Sequence, residues 1–273
     1  PGGYVGAQLS HEFDCPLVVT GHGGDVYTWP FIDASHKQQA KVVLDSANHV
    51  ITVGSGNIKC IQNIGTETPI SLIPNGFDSS MFFQMKEIEC KKKLTIPINK
   101  RIILSVGNLI EIKGYRYLIE AVSEIVIHKA DVIFVIIGDG PLRSDLAHQI
   151  HSLGLEDCVI LTGGKPHDEI PLWMNACEIF VLPSLRESFG VVQIEAMACG
   201  KPVIATRNGG SEEVVISEEY GLLVEPANPK DLAEKILLAL SKEWKEEKIL
   251  QYAKRFTWEN ITKEIADVYH RAS

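Results

Sequence analysis

The stretch IILSVGNLIEIKGYRYLIEAVSEIVIHKADVIFVIIGDG (102–140) decides the fold. It opens on one short β-branched run, IILSVG (102–107), and closes on another, VIFVIIG (132–138), with the helix-patterned segment YRYLIEAVSEIVIHK between them. Both runs are almost wholly apolar, as expected of strands covered by helices on both faces. A strand, a crossover helix and a second such strand make a right-handed βαβ unit with parallel strands.

The same alternation continues on the C-terminal side. CVILTG (158–163), IFVLPS (179–184) and PVIATR (202–207) read as strands, and GLLV (221–224) adds a sixth. PLRSDLAHQIHSLG, EIPLWMNAC and VVQIEAMAC read as the helices between them. The region Lys100–Lys230 is therefore an α/β, Rossmann-like domain. On the N-terminal side, PLVVTGH (16–22), HVITVG (49–54) and ISLIPNG (70–76) are strand-like, with helical periodicity from Phe31 to Ala47. Three strands are few for an independent sheet, so the expectation is a second Rossmann-like domain lacking its first strands. Residues 1–99 are assigned to this partial domain, with an interdomain linker from about 79, where charge and Pro97 break any clean periodicity. Residues 100–256 form the second domain, and 257–273 an amphipathic helix after a break near Thr257.

Composition excludes several function classes. Of 273 residues, 45% are apolar and 22% charged, the balance of an ordinary globular chain. The net charge of −9 argues against a nucleic-acid partner, which needs a concentrated basic surface. The one basic run, CKKK (90–93), reads as a solvated linker rather than a lipid-headgroup site. Six cysteines (15, 60, 90, 158, 177, 199) have no close spacing, which fits neither zinc nor a disulfide framework. They read as buried reduced thiols of a cytoplasmic protein. VIFVII (132–137) is too short to span a bilayer.

The chemistry is expected where the strand order of a doubly wound sheet reverses, at the carboxyl ends of the first and fourth strands. There lie GNLIEIKG (107–114) and PSLRESFG (183–190), the most polar and glycine-marked loops of the domain. Each leads into a helix, whose free amides and dipole attract anions. Lys113 sits at the first helix start beside Gly114, and is either a phosphate ligand or a solvated lysine. The amides of Ser188, Phe189, Gly190 and Val191 can face a second anionic oxygen. Glu187 precedes the second helix, and Glu195 lies within it among Ile194, Ala196 and Met197. A carboxylate there is costly without a partner, which is either a ribose diol or a lysine such as Lys201. GDGP (138–141) and RNGG (207–210) read first as turns. In TGHGGD (20–25), His22 stands between glycines at a strand end and is followed by Asp25.

Together these segments resemble the retaining, family-4 type glycosyltransferases of the GT-B fold, over most of the chain. The carrying motifs are GNLIEIKGYRYLIEA, VIIGDGP, VILTGGK, PSLRESFGVVQIEAMACGKPVIATRNGG, TGHGGD and IPNGFDSSMF. The resemblance implies two Rossmann-like domains facing a cleft and transfer of a sugar from a nucleoside-diphosphate sugar, UDP- or GDP-linked, with retention and without a metal or organic cofactor. Glu195 is then expected on the ribose, Lys113 on the diphosphate and Glu187 beside the donor sugar. Phe189, Gly190 and Val191 contact sugar or phosphate through their amides, Gly107, Gly138 and Gly140 belong to the donor loops, and His22 meets the sugar from the N-domain, with Asp25 on the acceptor side. Asn108 stands where the family commonly has an arginine, and Arg186 is the residue that would compensate. The last helix, near Trp258–Ala272, is expected to cross back to the N-domain. Expected partners are the donor and a glycan, lipid or small-molecule acceptor, with a peripheral membrane contact through the N-terminal region that this chain does not match. The alternative is a nucleotide-sugar-binding module without turnover.

Overall fold

The computed structural model describes residues 2–272. Helix α1 (Gly2–Phe13) is followed by strand β1 (Val18–Gly21), the single turn α2 (Gly24–Tyr27), α3 (Ala34–Asp45), β2 (His49–Thr52), α4 (Ser55–Ile64) and β3 (Ile70–Leu72). Next come α5 (Glu87–Lys93), β4 (Arg101–Val106), α6 (Tyr115–His128), β5 (Val132–Ile137), α7 (Arg143–Ser152) and β6 (Val159–Gly163). Then follow α8 (Ile170–Ala176), β7 (Ile179–Leu182), α9 (Val191–Ala198), β8 (Val203–Thr206), α10 (Ser211–Val214) and β9 (Gly221–Val224). The chain ends on α11 (Pro229–Ser241), α12 (Glu246–Ala253) and α13 (Trp258–Ala272).

It divides into two compact units: residues 1–76 with 187–189 and 256–273, and residues 77–186 with 190–255. The second holds a six-stranded, all-parallel sheet in the order β6-β5-β4-β7-β8-β9. This is the doubly wound order 3-2-1-4-5-6, with the reversal between β4 and β7. Its strands are apolar throughout because both faces are covered; all six residues of β5 are buried. On one face Ile103, Phe134, Val181 and Ile204 join the inner sides of α6 and α11 in a single core.

The first unit carries a parallel three-stranded sheet, β1-β2-β3. Successive residues of β2 point to opposite faces, as the pleat requires. Val50 therefore packs with Ala40, Leu44, Ile61 and Ile64 from α3 and α4, while Ile51 packs with Ile261 and Val268 of α13. The closing helix thus belongs to the core of the first unit. It sits close enough that a Cβ at Gly76 would stand 2.7 Å from the indole of Trp258.

The α/β, parallel-sheet fold read from the sequence is the one observed. Several local expectations are not. The division falls after Gly76, near the expected start of the linker at about 79, and residues 77–99 group with the second unit rather than with the first. Part of that segment is helical: α5 has Glu87 and Glu89 in its first turn and Lys91, Lys92 and Lys93 in its last, complementing the helix dipole. CKKK is accordingly not a solvated linker throughout. Lys91 is buried, 2.5 Å from Glu87 and donating to the carbonyl of Lys100 at 2.7 Å. Helices α1 and α4 were also not expected; α4 carries Gly56 in its first turn and a buried Asn57, which blurs an apolar period. Of the cysteines, Cys90, Cys177 and Cys199 are buried, Cys60 and Cys158 half-buried, and Cys15 exposed.

Candidate functional site: the loops at the strand reversal

In the second unit the two loops at the reversal touch. The amide of Leu185 donates to the carbonyl of Ile112 at 2.7 Å. Gly114, at φ +66°, lies so close that a Cβ there would stand 2.1 Å from the carbonyl oxygen of Pro183. A non-glycine residue is excluded on both counts. Lys113 closes the short turn 111–113 just before α6, its stem passing Gly107: an added Cβ there would be 3.9 Å from its Cδ and Cε. The first loop is tied from beneath by the Tyr115 hydroxyl, which donates to the carbonyl of Gly107 at 3.1 Å.

The GDGP segment is more than a tight turn. Gly138 would place a Cβ 1.9 Å from the carbonyl oxygen of Gly107, and Gly140 one 2.6 Å from that of Leu109. Leu109 donates its amide to Asp139 at 2.9 Å, and Leu142 donates to Leu109 at 3.1 Å. The two loops are pressed together along bare backbone, which only glycine allows. Asn108 is exposed at their rim.

The second loop ends at Gly190, left-handed at φ 79°, which caps α9 without a side-chain acceptor. The first amides of α9 are thus not taken by a capping side chain. The loop is braced from behind by RNGG, so that this segment is no flexible turn. Asn208 is buried, donates to the carbonyl of Ser184 at 3.2 Å, and accepts from the amides of Gly210 and Ser211 at 3.1 and 2.9 Å. The Thr206 hydroxyl donates to the same Ser184 carbonyl.

Glu195 occupies the second turn of α9 and is only 7% exposed. The side chain that meets it is His167 rather than Lys201, with Nε2 of His167 3.4 Å from Oε1 of Glu195. Burial raises the Glu195 carboxyl above the usual carboxylate range, and His167 partly opposes the rise. His167 belongs to the turn 167–169 between β6 and α8, introduced by Pro166 and followed by Pro171. Sequence reading missed it, because nothing local marks a histidine whose partner is 28 positions away; its place at a strand's carboxyl end was the available signal.

In the first unit His22 is exposed at the end of β1. Both oxygens of Asp25 are engaged by this loop, accepting from the amides of His22 at 3.1 Å and Gly23 at 2.6 Å. Glu187, Ser188 and Phe189 group with this unit, whereas Arg186, exposed, groups with Gly190, Val191 and Glu195 in the second. Among the described residues no three His, Cys, Asp or Glu side chains are placed to hold a metal ion, and no helix is long and apolar enough to cross a membrane.

Two glycine-marked loops, a lysine and a buried carboxylate thus lie at the strand reversal, where doubly wound sheets hold their ligands. Residues 86–256, well over half of the chain, match the family described as Glycosyl transferases group 1. The chain belongs to that family. It is 32% identical over 279 aligned residues to an uncharacterized glycosyltransferase of Methanocaldococcus jannaschii, covering 100% of this chain and 73% of that one. It is 31% identical over 239 residues to the putative teichuronic acid biosynthesis glycosyltransferase TuaC of Bacillus subtilis, covering 86% and 58%. Among solved structures it resembles Anabaena HepE in complex with UDP, with a TM-score of 0.86, 27% identity and coverage of 98% and 76%. These GT-B relatives share its fold class.

Proposed function

We propose that this chain transfers a sugar from a nucleoside-diphosphate sugar to an acceptor hydroxyl with retention of configuration, and that no metal or organic cofactor takes part. The observation that carries the reading is the junction of the two reversal loops at Gly114 and Pro183, with Lys113 on one loop and the helix bearing Glu195 after the other.

In this reading Glu195 accepts from the ribose diol, and Lys113 faces the diphosphate. The N-terminus of α9, which has no side-chain cap, adds a positive end where the leaving group gathers charge. Asn108 donates a hydrogen bond but no charge, so Lys113 and the α9 terminus carry the electrostatic role, with Arg186 as the second cation. Glu187 lies beside the donor sugar, and the Phe189, Gly190 and Val191 amides contact sugar or phosphate. Gly107, Gly138 and Gly140 supply bare backbone for close approach. His22 acts on the sugar, and Asp25 acts on the acceptor side by setting the loop that carries His22. Retention follows if the hydroxyl enters on the face from which the phosphate departs, its proton passing to the departing oxygen. HepE was solved with UDP and with UDP-glucose, which makes uridine donors the first to try.

The test is release of nucleoside diphosphate from UDP-, GDP- and ADP-sugars, with and without a chelator. Turnover that survives chelation and is lost in Glu187→Ala and Lys113→Ala is expected. Unchanged turnover in both variants overturns the site. Binding without turnover in the wild type supports the alternative, a nucleotide-sugar-binding module.

A further inference from the structure

Glu195 is a buried carboxylate, 7% exposed, on a helix whose Ile194, Ala196 and Met197 are also buried. Such a group drifts toward its protonated form, and a protonated carboxyl no longer offers two acceptor oxygens to a diol. Something must keep it charged and aimed before any ligand arrives. The side chain that meets it, His167, comes from another element and is itself 64% exposed at its side chain. It is not loose: its ring lies 5.4 Å from that of the buried Phe82, tilted by 60°. Asp78, four residues earlier, sits close enough to interact electrostatically with His167, and its own carboxylate is fixed by the amide and hydroxyl of Ser80 at 2.9 and 2.6 Å. The segment is anchored in turn by Asn175, which accepts from the amide of Met85 at 2.6 Å and donates to the carbonyl of Phe83 at 3.0 Å.

We propose that His167 is the positioning residue of the nucleotide site, holding one oxygen of Glu195 through Nε2 so that the carboxylate stands ionised and aimed at the ribose diol. The proposal rests on the donor-site reading above. His167 touches the carboxylate and not the reacting bond, so it acts on nucleotide affinity and on discrimination for the ribose hydroxyls. Phe82 packs on the ring that does this, which gives this residue a function in the donor site.

The experiment is a two-by-two calorimetric cycle. Wild type is first titrated with UDP, GDP and ADP, and the tightest is carried forward with its 2′,3′-dideoxy analogue. His167→Ala is expected to weaken the natural nucleotide by about 5–10-fold, the coupling of one charge-assisted hydrogen bond, and to leave the already weak dideoxy analogue unchanged. His167→Gln, which keeps an N–H near the position of Nε2, is expected to recover affinity to within about twofold. Equal losses for both nucleotides, no loss in His167→Ala, or no recovery in His167→Gln would overturn the proposal. If wild type prefers the natural nucleotide over its dideoxy form and His167→Ala leaves that preference intact, only the role of His167 falls. If none of the three diphosphates binds wild type, the donor-site reading falls and this one with it.

Discussion

Gly114 faces the carbonyl oxygen of Pro183 at a distance that leaves no room for a side chain: a Cβ would stand 2.1 Å away. The start of the helix after the first strand is thereby pressed onto the end of the fourth, across the reversal of the sheet. Gly114→Ala has to move one loop or the other, and also pays for φ +66°. We expect a destabilisation of about 1–3 kcal/mol. Nucleotide affinity should fall at least about tenfold, since the displaced loop carries Lys113. Thermal unfolding and calorimetry on one preparation check both, and an unaltered affinity would separate Gly114 from the site.

Lys113→Ala should discriminate between ligands by phosphate content. Losing a charge-assisted contact to the diphosphate is expected to weaken UDP by about 1.5–3 kcal/mol. Uridine, which has no phosphate, should bind wild type and variant alike. The loss should shrink as salt is raised, because part of it is screened. Equal weakening of uridine and UDP would mean that Lys113 supports the loop instead.

The carboxyl of Glu195 is raised above its ordinary value by burial. A group whose folded-state pKa is raised favours folding while protonated. That contribution is present below the unfolded value of 4.5 and is lost as pH rises through the folded value. The charged form therefore costs the ligand-free protein stability at neutral pH. Glu195→Gln, which is neutral at any pH, should raise the neutral-pH Tm. The gain should vanish as the wild type is acidified toward the unfolded value. The same variant should lose preference for ribose over dideoxyribose. A lower Tm at neutral pH would contradict the cost assigned to this carboxylate.

Asn175 is fully buried and makes three bonds, two of them to the 83–85 segment and one to the carbonyl of Pro171 at 2.9 Å. Asn175→Ala removes the partners of the Met85 amide and the Phe83 carbonyl, both part-buried, for an expected loss of about 1–2 kcal/mol. Residues 77–86 should become the first site of limited proteolysis. Cleavage elsewhere first would remove this anchor from the account.

Thiol reactivity should separate the cysteines by burial. Burial pushes the Cys177 thiol up to about 12 and raises that of Cys199 as well. In native protein Cys15, which is exposed, should react with a chromogenic disulfide in the first phase. Cys90, Cys177 and Cys199 should react only after denaturation. Rapid native labelling of Cys177 would show an opening near α8 that its packing does not suggest.

What the sequence by itself determined was everything set by local period and by glycine. Six apolar runs separated by helical stretches imply one parallel, doubly wound sheet, and the handedness and crossing rules leave few strand orders. The reversal between the strands at 101–106 and 179–182, and hence the loop holding Lys113 and the helix bearing Glu195, followed from that order. Tertiary structure alone decided which side chain meets the buried carboxylate. That side chain is His167, not the lysine such as Lys201 that was one of the two partners open to the sequence, and the contact joins elements far apart in the chain. It likewise decided that residues 77–99 belong with the second unit, through Asn175 and a buried Lys91. It turned RNGG into a brace through the long-range bond from Asn208 to Ser184. Periodicity records which face of an element is buried, whereas a polar partner is fixed by the packing of distant elements, where an unpaired buried charge is too costly to leave.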